Sequence, residues 1–396
     1  MKKLQETFKS GSSYIPFLIS IVLTGLSYGL YKGVLDNYLA EIVQINEFQR
    51  GVAEFFREAP GLLLVLFLAV FYMLSAETIY KLGAVFMLVG FAMHAIVPPT
   101  IVWVIAAIFV MSIGEHLQLG MTNILPLQYA KEGKGGEALG YKTSATNVGH
   151  LAGYLVVAIA FMFIQSTEKS YKAIFWIVTV LMGIALISSL KVEGRSEQDK
   201  SRSRFYFRKK FFKYYALEVF YGARKQVFFT FGPYVLILFY GASATLISFL
   251  FAISAVACML TAPIVGKIID KYGYKIVMVS DTLILVLVCF AYGFAHHIFP
   301  KDVAFVVCCI NYVLDAIISQ ASMASNVYVQ DISDSPEETR ATISTGISVN
   351  HLITILVALF GGYIWQELGI ETLFIISAIL GICNSAYAAT IKVSKK

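Results

Sequence analysis

The sequence predicts an all-α membrane protein: twelve transmembrane helices in two pseudo-symmetric six-helix bundles. Composition, the spacing of apolar runs and an internal repeat carry that expectation. Of 396 residues 58% are hydrophobic and only 14% charged, whereas soluble domains run near a quarter charged. Apolar runs long enough to cross about 30 Å of hydrocarbon recur throughout the chain. They fall at 13–40, 46–74, 79–98, 100–129, 138–165 and 170–190, then at 211–241, 243–268, 274–297, 302–329, 337–365 and 370–391. The expected organisation is an N-terminal bundle over 1–190, a cytoplasmic central loop over 191–210 and a C-terminal bundle over 211–396.

The first run follows a basic start, "MKKLQETFKSGSSYIPFLISIVLTGL", without a small-residue cleavage site or a polar mature domain after it. It reads as a retained helix. The third and fourth runs meet at "VPPT" (97–100), where two prolines mark a tight turn. Only 191–213 is long, polar and charge-dense, a solvated linker whose Ser201 and Ser203 are candidate phosphorylation sites.

Loop charge sets the orientation. Twenty-three loop Lys and Arg fall on one side and four (Arg50, Lys169, Lys172 and Lys301) on the other. The basic side is cytoplasmic by the positive-inside rule, so both termini are expected there and the chain in a cell membrane. The net charge of +6 sits in short loops and points to anionic lipid headgroups rather than nucleic acid. Cys258, Cys289, Cys308, Cys309 and Cys383 lie in apolar runs without CxxC or His spacing. They read as reduced packing residues, and neither a metal nor a cofactor is expected. The chain reads as a monomer.

The repeat emerges when the halves are laid at an offset near 200. "YGLYKGV" (28–34) meets "YGARKQV" (221–227), matching Tyr28 to Tyr221, Gly29 to Gly222, Lys32 to Lys225 and Val34 to Val227. Glu115 meets Asp315, and "TNVGHL" (146–151) meets "ISVNHL" (347–352), pairing His150 with His351. Three pairs of unusual intramembrane polar residues in the same order fit two duplicated bundles.

This arrangement resembles the major facilitator superfamily over essentially the whole chain. "GKIIDKYGYK" (266–275) is similar to that family's cytoplasmic signature loop through Gly266, Asp270, Lys271, Gly273 and Lys275, which the resemblance assigns to the inward gate. The first-half counterpart "LSAETIYKLGA" (74–84) keeps Lys81 and Gly83 but has Tyr80 at the Asp position. The resemblance implies a secondary transporter and names no substrate.

Charges inside spans cost about 2.5–3.5 kcal/mol on insertion scales, so they face the bundle interior and find partners. Tyr28, Lys32 and Asp36 form an i, i+4, i+8 row in which Lys32 pairs with Asp36. Asn311, Asp315, Ser319, Ser322 and Asn326 stripe one face of the tenth span. Adjacent Arg224 and Lys225 point about 100° apart, so one faces a central cavity and the other reaches a neighbouring helix. The expected substrate-binding set is Lys32, Arg57, Tyr28, Tyr221, Arg224, Lys225 and Asn311. The expected proton-coupling set is Asp36, Glu115, Asp315, His150 and His351. Fixed ion pairs such as Lys32–Asp36, or Arg57 with Glu54 or Glu58, are the structural alternative. Pro60 and Gly61 predict a kink or hinge in the second span.

The expected function is alternating-access transport, with proton-coupled uptake of a small anionic or zwitterionic organic solute. Proton-coupled efflux of amphipaths is the alternative. An integral membrane enzyme is the rival class, but the chain has no GxSxG, HExxH, CxxC or P-loop.

Overall fold

In a hydrocarbon solvent each backbone N–H and C=O must be satisfied within its own segment, and the protein answers with helices. The computed structural model describes residues 2–70, 74–193 and 207–391. Ser201, Ser203 and most of the basic central loop lie outside that set. In order, the helices are α1 (Lys2–Thr7), α2 (Tyr14–Asn37), α3 (Glu47–Val70), α4 (Ala76–Ile96), α5 (Ile101–Tyr129), α6 (Gly135–Phe163) and α7 (Glu168–Leu190). The second half supplies α8 (Phe212–Tyr240), α9 (Ala244–Tyr272), α10 (Tyr274–Ile298), α11 (Lys301–Ile318), α12 (Met323–Ile332), α13 (Pro336–Leu368) and α14 (Ile370–Ala389). Ten stretches among the described residues are long and apolar enough to cross a membrane. Helices α3 and α8 match them in length, with 24 and 29 residues, but carry more charge.

Local chemistry explains the breaks. The two prolines of "VPPT" end α4 and start α5, as expected. Gly273 (φ 85°) separates α9 from α10 and Gly369 (φ 87°) separates α13 from α14, each in a backbone region that other residues resist. Helix α13 begins with Ser335 accepting from the Glu338 N–H and Pro336 in the first turn. Outside that span, a hydrogen bond to Asp334 and then one to Glu338 hold the Lys210 ammonium above its ordinary pKa. Two departures from α geometry fall inside spans: a π-helical turn at Tyr38–Ile42 after α2, and a 3₁₀ turn at Ser319–Ser322 between α11 and α12. Such turns recur at functional positions in helices.

The chain divides into two compact units. Unit 1 holds residues 1–44, 59–202 and 243–252, and unit 2 holds 45–58, 203–242 and 253–396. The chain leaves unit 2 between Glu58 and Ala59, directly before Pro60. Proline there donates no N–H and loosens the helix where its two halves belong to different bodies. The core of unit 1 gathers Phe17, Tyr80, Leu117, Met121 and Tyr129. The buried Tyr80 shares a 2.8 Å hydrogen bond with Ser20, so the residue at the expected Asp position of the first-half loop is a packing residue. Unit 2 gathers Tyr214, Leu217, Met278, Tyr328 and Val329 in the same way. Val102, Phe163, Leu260, Leu283 and Leu287 point outward, where apolar surface faces lipid at no cost.

Close backbone approach joins the helices. Gly25 and Gly29 of α2 meet Gly149 and Gly153 of α6, both pairs in small-xxx-small spacing. A Cβ on Gly29 would stand 2.4 Å from the His150 carbonyl oxygen. In unit 2 the repeat-related Gly222 of α8 faces Asn350 of α13, beside His351. Gly29→Ala is therefore expected to lower the thermal unfolding midpoint by an overpacking cost of about 1–3 kcal/mol. Gly140→Ala, where the new methyl meets nothing within 4 Å, is the control that does not lower the midpoint in the same detergent melt, since alanine is the better helix former.

Candidate functional site

Each unit buries its own set of charges. In unit 1 the i, i+4 spacing on α2 brings Lys32 Nζ to 3.0 Å from Asp36 Oδ2, with Asp36 wholly buried. The Lys32 ammonium also lies 5.7 Å from the centre of the Phe251 ring at the start of α9. That part of α9 is tied to α2 by a hydrogen bond from Ser248 Oγ to the Gly33 carbonyl, 2.9 Å. Tyr154 of α6 packs on Phe251 and feels the charges of both Asp36 and Glu115. Tyr28 and His150 lie with ring centres 5.3 Å apart. Lys32, Asp36, Glu115, Tyr28 and His150 thus line neighbouring helices of one unit. Just beyond them the π-helical turn places Glu41 to accept from Asn37 and Tyr171, both at 2.7 Å.

Unit 2 holds two further sets. The first is built on Ile45–Glu58. Arg50, Glu54, Arg57 and Glu58 occupy one face of α3 at helical spacing. Arg50 Nη1 meets Glu54 Oε2 at 3.0 Å, and Arg57 bridges Glu54 and Glu58. Gln226 of α8 donates to Glu54 Oε1 at 3.0 Å. Across to α13, Glu58 Oε2 meets His351 Nδ1 at 2.8 Å and accepts from Thr354 at 3.2 Å. Sequence reading placed Arg50 in an external loop; the structure buries it inside α3, because Glu54 one turn later neutralises it. Arg57, expected in the substrate-binding set, thus makes the ion pairs of the structural alternative, with both Glu54 and Glu58.

The second set lies on α8, α10 and α11. Arg224 is 1% exposed, with Nη1 3.0 Å from Asp281 Oδ2 of α10. Its guanidinium stands 5.4 Å from the Tyr221 ring centre. Asp315 of α11, also buried, is within electrostatic range of Arg224 and Lys225. Lys225 is exposed while Arg224 is buried against Asp281 of α10, so the adjacent cations diverge. Arg224 Nε and Nη2 are buried with no hydrogen-bond partner among the described residues. Asn311 bonds back to the Val307 carbonyl of its own helix at 2.7 Å.

Gln226 and Asp281 were missed from sequence, and Glu54 entered only as a fixed partner of Arg57. Asp281 carried a usable signal: it is the only acid in the apolar run 274–297. Glu54 had one too, lying four residues from Arg50 and from Glu58. Gln226 had none. In the signature-like segment 266–275, Lys275 Nζ reaches the Ile391 carbonyl at 2.9 Å and Gly273 makes the turn. Gly266 lies within α9, while Asp270 and Lys271 are exposed near its end. Asp270 makes no hydrogen bond among the described residues.

Apolar spans with ion pairs sealed between them define a multi-pass helical membrane protein. The family model described as Major Facilitator Superfamily matches residues 17–349 and 215–395, and the chain belongs to that superfamily. It is a transporter rather than an enzyme. Among solved structures, the nucleoside transporter NupG is similar with TM-score 0.75 at 16% identity, covering 96% of this chain and 100% of that one. A D-xylose-proton symporter gives 0.73 at 14%, covering 95% and 97%. A POT family transporter in complex with 5-aminolevulinic acid gives 0.73 at 13%, covering 94% of each. At these identities the likeness is one of fold. No curated protein sequence matches the chain.

Proposed function

We propose that the protein is a proton-coupled secondary transporter that takes up a small anionic or zwitterionic organic solute by alternating access. Twelve spans in two six-helix repeats, split at the central loop, form its frame in a cell membrane with both termini cytoplasmic. It works as a monomer. One observation carries the reading: Arg224 is wholly buried, bonded to one carboxylate and within electrostatic range of a second. A buried ion pair is costly to build and often no more stable than apolar residues of the same volume. A guanidinium with two nitrogens still lacking partners is costlier again.

A cation between two carboxylates is a two-position element. When Asp315 is ionised it attracts Arg224 away from Asp281; when Asp315 takes a proton, Arg224 returns. Proton binding is thereby converted into side-chain movement beside the exposed Lys225, which offers a cation to the solute carboxylate or phosphate. Lys32 and Asp36 supply the counterpart in unit 1. Two of the proteins with this fold are named for a proton-coupled sugar and for a bound amino acid derivative. Both names are compatible with a polar, oxygen-rich cargo.

The test is uptake into proteoliposomes, with the solute chosen by a thermal-shift screen of the detergent-purified protein against metabolite pools. An inward proton gradient is expected to drive accumulation, and the stabilising solutes to carry a carboxylate or phosphate. Accumulation that is indifferent to collapse of the gradient by a protonophore removes the proton-coupled mechanism.

A further inference from the structure

Apart from the buried charges, a group of metal-binding side chains stands at the end of unit 2 where α10 stops and α14 begins. His296 and His297 occupy the last turn of α10, and Glu371 the first turn of α14. The two Nε2 atoms converge on one oxygen, Glu371 Oε1, at 3.1 Å from His296 and 2.6 Å from His297. All three ligand atoms lie within 4.8 Å of one another. The imidazole centres are 4.0 Å apart.

We propose that His296, His297 and Glu371 form a binding site for a divalent transition-metal ion of the Zn²⁺ class. Tetrahedral ligands about 2.0–2.1 Å from zinc stand roughly 3.3 Å from each other, so the observed spacings need only small adjustments. Two imidazoles and a carboxylate are a nitrogen and oxygen set that suits Zn²⁺, Ni²⁺ or Cu²⁺ rather than Ca²⁺ or Mg²⁺. The half-exposed position leaves room for water to complete the shell, since His297 is exposed and Glu371 partly so.

Helix-end electrostatics give a simpler reason for each residue alone: cationic His suits a C-terminus and Glu an N-terminus. That account does not require two neighbouring rings to aim the same nitrogen at a single oxygen. Two protonated rings 4.0 Å apart repel, whereas one metal ion satisfies both in their neutral form. The ligands are also held firmly. One turn below, Gly293 of α10 lets α14 come close, with Phe374 Cβ 3.1 Å from where a Gly293 side chain would begin. Phe239 of α8 packs on His296 at 5.2 Å between ring centres.

Sequence spacing does not announce the site, because "HH" lacks a metal-ligand interval and the third ligand lies 74 residues further on. By the loop-charge reading, this end of the bundle faces away from the cytoplasm. On that orientation, a site there samples extracellular metal.

The experiment titrates Zn²⁺ into chelator-treated, full-length protein in detergent at neutral pH, purified without a polyhistidine tag. Calorimetry and thermal unfolding are followed together. One ion per chain is expected, with a metal-dependent rise in the unfolding midpoint. His297→Gln and Glu371→Gln are expected to weaken binding by roughly 100-fold or more while unfolding like the parent without metal. Acidification is expected to release the ion, because protons compete with the metal for its ligands. Failure to bind at millimolar Zn²⁺, or binding unchanged in both variants, overturns the proposal.

Discussion

Asp281→Asn is expected to be among the most damaging single substitutions in the chain. It leaves Arg224, 1% exposed, facing an amide where a carboxylate stood at 3.0 Å. Breaking a buried pair by removing one partner costs about 3–5 kcal/mol, because the remaining charge is uncompensated. Arg224→Ala strands Asp281 in the same way and removes a side chain packed on Tyr221. Because Arg224 is bonded to Asp281, Arg224→Ala is expected to weaken the fold as well as to stop transport. Both variants should show a lower detergent unfolding midpoint and reduced yield in the membrane.

A paired substitution separates stability from mechanism. Arg224→Met with Asp281→Leu removes both charges and fills similar volume, and such replacements are often neutral or stabilising. The double variant is expected to regain the parental midpoint while transport remains absent, since the two-position cation is gone. Recovery of stability together with full uptake would show the pair to be scaffolding alone. If Arg224→Met and Asp281→Leu made singly destabilise by amounts that simply add in the double variant, the two residues are not energetically coupled.

Much of this architecture was legible because a membrane imposes length, period and charge placement on the chain at once. Spans predicted at 100–129, 170–190 and 274–297 appear as Ile101–Tyr129, Glu168–Leu190 and Tyr274–Ile298. Spacing rules within one helix also held, since Lys32 and Asp36 pair across a single turn. Contacts between helices were not legible. Arg224 and Asp281 are 57 residues apart, and Glu58 and His351 are 293 apart. Nothing in their local patterns encodes either meeting. The π-helical turn at Tyr38–Ile42 also escaped, because its sequence YLAEI has no Gly or Pro to announce it. The repeat bridged part of this gap: it matched Gly29 with Gly222, and each of these glycines carries a helix crossing in its own unit.

Asp315→Asn is expected to abolish proton-driven accumulation while leaving the protein folded. Asp315 has no hydrogen bond among the described residues to lose, and asparagine keeps its shape. The amide imitates the protonated acid, so Arg224 stays with Asp281 and the proton-loaded arrangement becomes permanent. In the proposed cycle, solute exchange does not require the proton to leave, whereas net uptake does. The variant should therefore retain counterflow across proteoliposomes loaded with unlabelled solute and lose uptake driven by a pH gradient. Asp315→Glu restores a titrating group one methylene further out and should recover part of the gradient-driven rate. Counterflow and gradient-driven uptake falling equally in Asp315→Asn would place the residue in solute binding. Both rates persisting at parental levels would place the coupling proton elsewhere, with Asp36 and Glu115 of unit 1 the next carboxylates to replace.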